Sequence, residues 1–160
     1  MDVFVFGALC SEGQEHEMAW HLLDHALEQI FHLTERPVSA RGERGKPYFP
    51  ERPDICFNLS HSYGAAVCAV HEKEVGVDIE KIRPAPRRLA NGMGDRAFFR
   101  LWTAKEATLK REGGALAALL QEYEPAALCK TCEEFLPGWV VTVCPSVPAE
   151  IRFQKIDPIW

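Results

Sequence analysis

Asp78 and Glu80 stand two residues apart in Gly76-Val77-Asp78-Ile79-Glu80, a run with the β-branched alternation of a strand. Both carboxylates therefore leave one face, while Val77 and Ile79 point toward a core. Two acids so placed repel each other unless a positive charge lies between them. A hard cation such as Mg2+ meets that need, because it takes oxygen ligands from a few carboxylates and completes its shell with water and substrate phosphate. The same pattern also arises on a solvated sheet face that carries two acids by chance.

Three further groupings carry chemistry. In Phe98-Phe99-Arg100-Leu101-Trp102-Thr103-Ala104-Lys105-Glu106-Ala107-Thr108-Leu109-Lys110, helical spacing puts Glu106 and Lys110 on one face, with an apolar stripe through Phe98, Trp102 and Leu109. The pair is equally well spaced for an ordinary i,i+4 surface ion pair. Phe57-Asn58-Leu59-Ser60-His61-Ser62 delivers hydroxyls and an imidazole into a turn. It lacks a glycine-flanked nucleophile, so phosphate binding by Ser60 and His61 is the simpler chemistry, beside a self-satisfied turn. Arg44 and Lys46, next to Gly45, can approach a phosphate, although Gly-Lys-Pro is also a common turn. Of the remaining histidines, only His21 and His25 have an i,i+4 spacing, and they read as surface or core residues of a helix.

The elements that must position these groups are legible from periodicity. Val3 to Leu9 reads as a strand, and Ser11-Glu12-Gly13-Gln14 offers a capping box before an amphipathic helix over 14–33. Residues 34–54 are rich in Pro, Gly and Arg and read as loop. Runs 54–60, 65–71 and 74–80 read as strands, the last two as a hairpin. A Pro- and Gly-punctuated connection then leads to a helix from Asp95, a candidate cap, to Arg111, closed by Gly113-Gly114. A short helix over 115–123, a Cys-containing connection and strands over 138–144 and 149–154 complete the chain.

The 160 residues, 47% of them hydrophobic, suffice for one compact core. No apolar run is long enough for a membrane span, and the start lacks a signal-peptide pattern, so the expectation is a soluble cytoplasmic protein. The net charge of −5 argues against a nucleic-acid partner. It hides a basic segment: Lys81 to Arg111 holds nine Lys or Arg against Asp95 and Glu106, a balance of +7 that leaves −12 elsewhere. Such a stripe suits a polyanionic ligand or an acidic partner, or is an ordinary solvated helix face. The six cysteines are scattered, which suits reduced thiols. Cys129 and Cys132 have a zinc or redox spacing, but no second pair follows and only Cys144 lies nearby, so two ordinary cysteines is the favoured reading.

Taken in order, Gly45-Lys46-Pro47, Phe57-Asn58-Leu59-Ser60-His61-Ser62, Gly76-Val77-Asp78-Ile79-Glu80 and Trp102 through Lys110 resemble the signature set of the 4'-phosphopantetheinyl transferases. The likeness is nearest to the single-chain, surfactin-synthetase-activating type. It implies an α+β fold over 1–160, made of two similar small halves, about 1–70 and 71–160, with the active site in the cleft between them. It further implies Mg2+ on Asp78, Glu80 and Glu106, with Glu106 and Lys110 catalytic. Coenzyme A contacts would come from Arg44, Lys46, Ser60, His61, Lys105 and Lys110. The implied reaction moves the phosphopantetheine arm of coenzyme A onto a serine of an acidic acyl or peptidyl carrier protein, and a monomer is expected. A coenzyme A-binding relative without transferase activity and a metal-dependent nucleotide pyrophosphohydrolase are the alternatives. Two departures stand out: the connection from Glu80 to the Trp102 helix is short, and Trp20, His21 and His25 occupy positions where relatives tend to carry Lys or Arg.

Overall fold

The computed structural model describes residues 1–113 and 124–157, so the helix expected over 115–123 lies outside the described residues. The chain is α+β. One sheet has the strand order β4 (Cys56–Ser62), β5 (Ala65–His71), β1 (Val3–Leu9), β9 (Ile151–Lys155), with β9 parallel to β1 and the other pairs antiparallel. A second, antiparallel sheet has the order β6 (Val75–Lys81), β8 (Trp139–Pro145), β7 (Lys130–Cys132).

The two sheets lie face to face between helices. Phe6, Ala8, Ala66, Cys68 and Val70 meet the buried stripe of α1 (Glu15–Phe31), formed by Met18, Ala19, Leu22, Leu23, Ala26 and Leu27. The alternate residues Val3, Val5, Ala65, Val67 and Ala69 pack against Val75, Val77, Ile79, Val141 and Val143 of the second sheet. Covered on both faces, β1 and β5 have no need of polar alternation, which explains their nearly unbroken apolar sequence. The outer face of the second sheet carries α3 (Asp95–Glu112), with Phe98 and Phe99 against Val140. Gly113 at φ 72° ends this helix as expected.

Six local expectations are corrected. β5 forms its hairpin with β4 through Tyr63-Gly64, not with β6, because Glu72-Lys73-Glu74 carries the chain from one sheet to the other. The capping box before α1 does not form. Instead the Glu15 carboxylate accepts the N–H groups of Gly13 (2.6 Å) and Gly64 (2.9 Å), tying the helix start to the β4–β5 turn. Asp95 is the first helical residue rather than the cap, and its carboxylate accepts the Ala85 N–H at 2.9 Å. The loop after α1 contains a minimal ladder, β2 (Ala40–Arg41) with β3 (Pro47–Tyr48), and the connection after β6 contains the single turn α2 (Arg87–Ala90). The Cys-containing connection contributes β7.

The sheets are stitched at one edge by side chains. Asn58, Ser60 and Ser62 alternate on β4, facing β6, and their oxygens accept the N–H groups of Val77 (2.8 Å), Ile79 (3.3 Å) and Lys81 (3.1 Å). Edge-strand donors that would otherwise be buried without partners are thereby satisfied.

α3 lies unusually close to β6 at Gly76, where a Cβ would sit 1.9 Å from the Ala107 carbonyl oxygen and 2.6 Å from the Arg111 nitrogen. Both obstacles are backbone, so the helix itself would have to move. Gly76→Ala is expected to destabilise the protein by about 3 kcal/mol, read as a fall in the thermal midpoint. An unchanged midpoint would show that α3 is not held at this distance.

Candidate active site

The outer face of β6 presents Gly76, Asp78 and Glu80 toward α3, and the close approach at Gly76 brings Glu106 above the two strand acids. One carboxylate oxygen from each of Asp78, Glu80 and Glu106 lies within 4.8 Å of the others. Among the described residues this is the group of acids, histidines and thiols that could hold a metal ion. Asp78 is 2% exposed, and Glu80 and Glu106 are half-buried, so the outer-face acids are not solvated surface groups.

Lys110 supplies the local positive charge. Its Nζ donates to Asp78 Oδ1 at 2.8 Å and to Ser60 Oγ at 3.0 Å, and Ser60 in turn donates to Asp78 Oδ1 at 3.0 Å. The lysine thus ion-pairs across to the strand acid rather than forming an i,i+4 bridge with Glu106. Burial works against the ammonium form, but Asp78, Glu106 and Glu80 together outweigh it and raise the proton affinity of Lys110. Arg83 and Ser62 hold Glu80 from the other side, at 2.8 and 3.1 Å. Burial nevertheless leaves Glu80 with a raised pKa, assisted by the charge of Asp78.

The set still has a deficit of positive charge. Asp78 Oδ2 is buried with no amide, hydroxyl or ammonium donor. Burial, then the charge of Asp78 and a hydrogen bond shared with it, push the Glu106 carboxyl up to about 9. A carboxyl that keeps its proton at neutral pH, next to a buried oxygen lacking a donor, fits a site completed by a divalent cation with oxygen ligands.

The other expected contacts are distributed unevenly. Ser60 is buried, its hydroxyl engaged with Asp78, Lys110 and the Ile79 N–H, so it positions the acid and the lysine. His61 is exposed at the strand end, its ring 6.0 Å from that of His16 on α1. Burial lowers the His61 pKa, reinforced by His16 and Lys110 against the attraction of Glu15. Lys46 reaches Glu74 at 2.8 Å and the Val75 carbonyl at 3.1 Å, beside a cavity of about 310 Å3 lined by Tyr48, Phe49, Pro53 and Phe57. Arg44 is exposed and donates to the Gly113 carbonyl at 2.9 Å, joining the loop to the end of α3. Lys105 is half-exposed and forms no ion pair with the described residues. His21 and His25 diverge: His21 lies 3.4 Å from Glu17, and His25 packs edge-on against Phe6.

Sequence reading missed Asn58, Ser62, Arg83 and His16. The first two had a signal, since polar residues at period two inside a strand mark a face that must find buried partners. Arg83 and His16 had none, because their partners come from the tertiary arrangement.

A three-acid cluster with an inserted lysine, held between a strand and a helix and flanked by basic loop residues, is the kind of centre that handles phosphate esters with a divalent cation. The chain is 33% identical over 158 residues to the 4'-phosphopantetheinyl transferase AcpT of Escherichia coli strain K12, covering 85% of this chain and 77% of that protein. It is 40% identical over 146 residues to AcpT of Salmonella typhi, covering 78% and 75% respectively. A 4'-phosphopantetheinyl transferase of Bacillus subtilis is 35% identical over 97 residues, but the match spans only 43% of that longer protein. No family model matches the chain. The chain belongs to the 4'-phosphopantetheinyl transferases.

Proposed function

We propose that this protein transfers the 4'-phosphopantetheine arm of coenzyme A to a serine of an apo acyl or peptidyl carrier protein, releasing adenosine 3',5'-bisphosphate. The observation that carries the reading is the meeting of Asp78, Glu80 and Glu106 within 4.8 Å, with Lys110 bonded into the cluster. Family membership supports it. Mg2+ held by the three acids would neutralise charge building on the pyrophosphate oxygens.

The protein's own groups perform the remaining work. Once ionised, Glu106 accepts the proton of the incoming serine hydroxyl, which is otherwise a weak nucleophile. The serine oxygen bonds to the phosphorus bearing the pantetheine arm, the pyrophosphate P–O bond breaks, and the electron pair leaves on adenosine 3',5'-bisphosphate. Lys110, kept cationic by its acidic neighbours, stabilises that leaving group. Lys46, Arg44, His61 and Lys105 bind coenzyme A, in a cleft between two α+β halves.

An acidic carrier would dock on the basic segment. Arg87, Arg88, Arg96 and Arg100 are exposed there, and so are Leu89, Met93 and Leu101. Charge steering toward this face would raise the association rate and weaken with salt. None of the described helices is long and apolar enough to cross a membrane. The reading places the protein in the cytoplasm, as a monomer.

The test is to incubate the protein with coenzyme A, Mg2+ and apo carrier proteins, and to weigh the carriers intact. A carrier heavier by one phosphopantetheine is the expected product. Cleavage of coenzyme A to free phosphopantetheine without a carrier adduct would overturn the reading in favour of a hydrolase.

A further inference from the structure

Three cysteines near the C-terminal end have no role in the acidic site, and the fold regroups them. Cys132, which spacing pairs with Cys129, turns instead to Glu134 Oε2 at 3.5 Å. Cys129 faces Cys144. In the β7–β8 ladder Lys130 lies opposite Val143 and Thr131 opposite Thr142, so one further step sets Cys129 across from Cys144. Directly opposed residues of an antiparallel pair have Cβ atoms about 4.5–5.5 Å apart, near the span a disulfide bridges.

The side chains follow the backbone. The Thr108 hydroxyl lies 3.2 Å from the Cys129 sulfur and 3.7 Å from the Cys144 sulfur, so both thiols gather around one oxygen. Both are free thiols. Cys144 is fully buried, whereas Cys129 is partly exposed and borders a surface depression with Leu128, Lys130, Pro148 and Glu150. The neighbouring Cys144 thiol, with further help from Thr108 and the Arg111 guanidinium, lowers the Cys129 thiol to about 7, while Cys144 is raised. One thiol is thus accessible and readily ionised, and its partner is buried and protonated, an arrangement suited to attack followed by resolution.

We propose that Cys129 and Cys144 form a redox-active thiol pair that exchanges with small-molecule disulfides and closes to an intramolecular disulfide. The Cys129 thiolate attacks one sulfur of the small disulfide and expels the other half as a thiolate. Cys144 then attacks the Cys129 sulfur of the mixed disulfide, its proton passing to the departing thiolate. The balance is two protein thiols and one small disulfide giving one protein disulfide and two small thiols. The pair hangs on Thr108, which stands between Glu106 and Lys110 in the same helix, two residues from each, so the helix that carries those residues meets it directly. The inference stands apart from the transferase reading and has a purely chemical readout.

The experiment is to treat the native protein with oxidised glutathione near neutral pH, block free thiols with N-ethylmaleimide, and map the digest by mass spectrometry. A peptide crosslinked through Cys129 and Cys144, released by dithiothreitol, is expected in the unaltered protein and equally in Cys132→Ser. Cys144→Ala is expected to stop at a glutathione mixed disulfide on Cys129. A crosslink between Cys129 and Cys132, a stable mixed disulfide on Cys129 in the unaltered protein, or no reaction at Cys129 would each overturn the proposal. The first arm uses the unaltered protein, so the outcome does not depend on a variant folding.

Discussion

Glu106→Gln is expected to lower the rate of phosphopantetheine transfer by about a thousandfold while leaving the metal-free protein as stable as the parent at neutral pH. The asymmetry follows from the charge state of the site. With its proton affinity pushed up to about 9, Glu106 is neutral at pH 7 in the metal-free protein, and a glutamine amide is nearly isosteric with that neutral acid. What the variant loses is the ability to ionise, and with it the base and one metal ligand.

The pH dependence gives an independent check. A carboxyl whose proton affinity is higher folded than unfolded contributes stability that is complete below the ordinary carboxylate pKa and lost as pH rises through the folded value. The metal-free parent should therefore melt at progressively lower temperature from about pH 4.5, the ordinary value, up to about pH 9. Glu80, also raised by burial, adds to the same slope. Mg2+ must displace the Glu106 proton to bind, so its stabilising effect should grow with pH. In Glu106→Gln the slope flattens and the Mg2+ effect shrinks. Thermal melts across this range, with and without Mg2+, decide the matter; a parent whose stability rises toward pH 9 would sink the assignment.

Lys110→Met is expected to destabilise the protein about as strongly as Gly76→Ala, but through charge rather than packing. The substitution preserves much of the side-chain length but removes the cation from Asp78, which is only 3% exposed and has one oxygen already lacking a donor. Breaking a buried ion pair from one side leaves the other charge stranded, at a cost of about 3–5 kcal/mol. The lower end, about 3 kcal/mol, applies because the lysine side chain remains 32% exposed to solvent. Adding Asp78→Asn should recover part of the loss, since the stranded charge then disappears. Chemical denaturation of the single and double variants measures this coupling. Equal losses for Lys110→Met with and without Asp78→Asn would show that the pair is not coupled.

Much of the framework was legible in order and period. The alternation of Val77 and Ile79 with Asp78 and Glu80 placed the apolar pair inward and the acids together, and the structure has that orientation. The stripe through Phe98 and Leu109 and the glycine after Glu112 marked α3. The hairpin assignment failed because strand runs specify which residues share a face, not which strand is the neighbour. β5 and β6 are adjacent in sequence, yet they belong to different sheets. The capping box failed for a related reason: the start of the helix is held by Glu15, whose carboxylate accepts one local N–H, that of Gly13, and one from Gly64 in the distant β4–β5 turn.

By itself, the sequence determined the kinds of group available and the faces they share, because periods of two and 3.6 follow from backbone geometry alone. It also carried the ordered motifs that mark the family. Only the tertiary structure decided which faces meet. Gly76 lets α3 approach β6 closely enough for Glu106 to join Asp78 and Glu80, and Lys110 pairs with the strand acid instead of its helical neighbour. The same packing sets Cys129 against Cys144 rather than Cys132. The reason is physical: a contact between residues far apart in the chain depends on how whole elements bury their apolar surfaces against one another, and no local spacing records that choice.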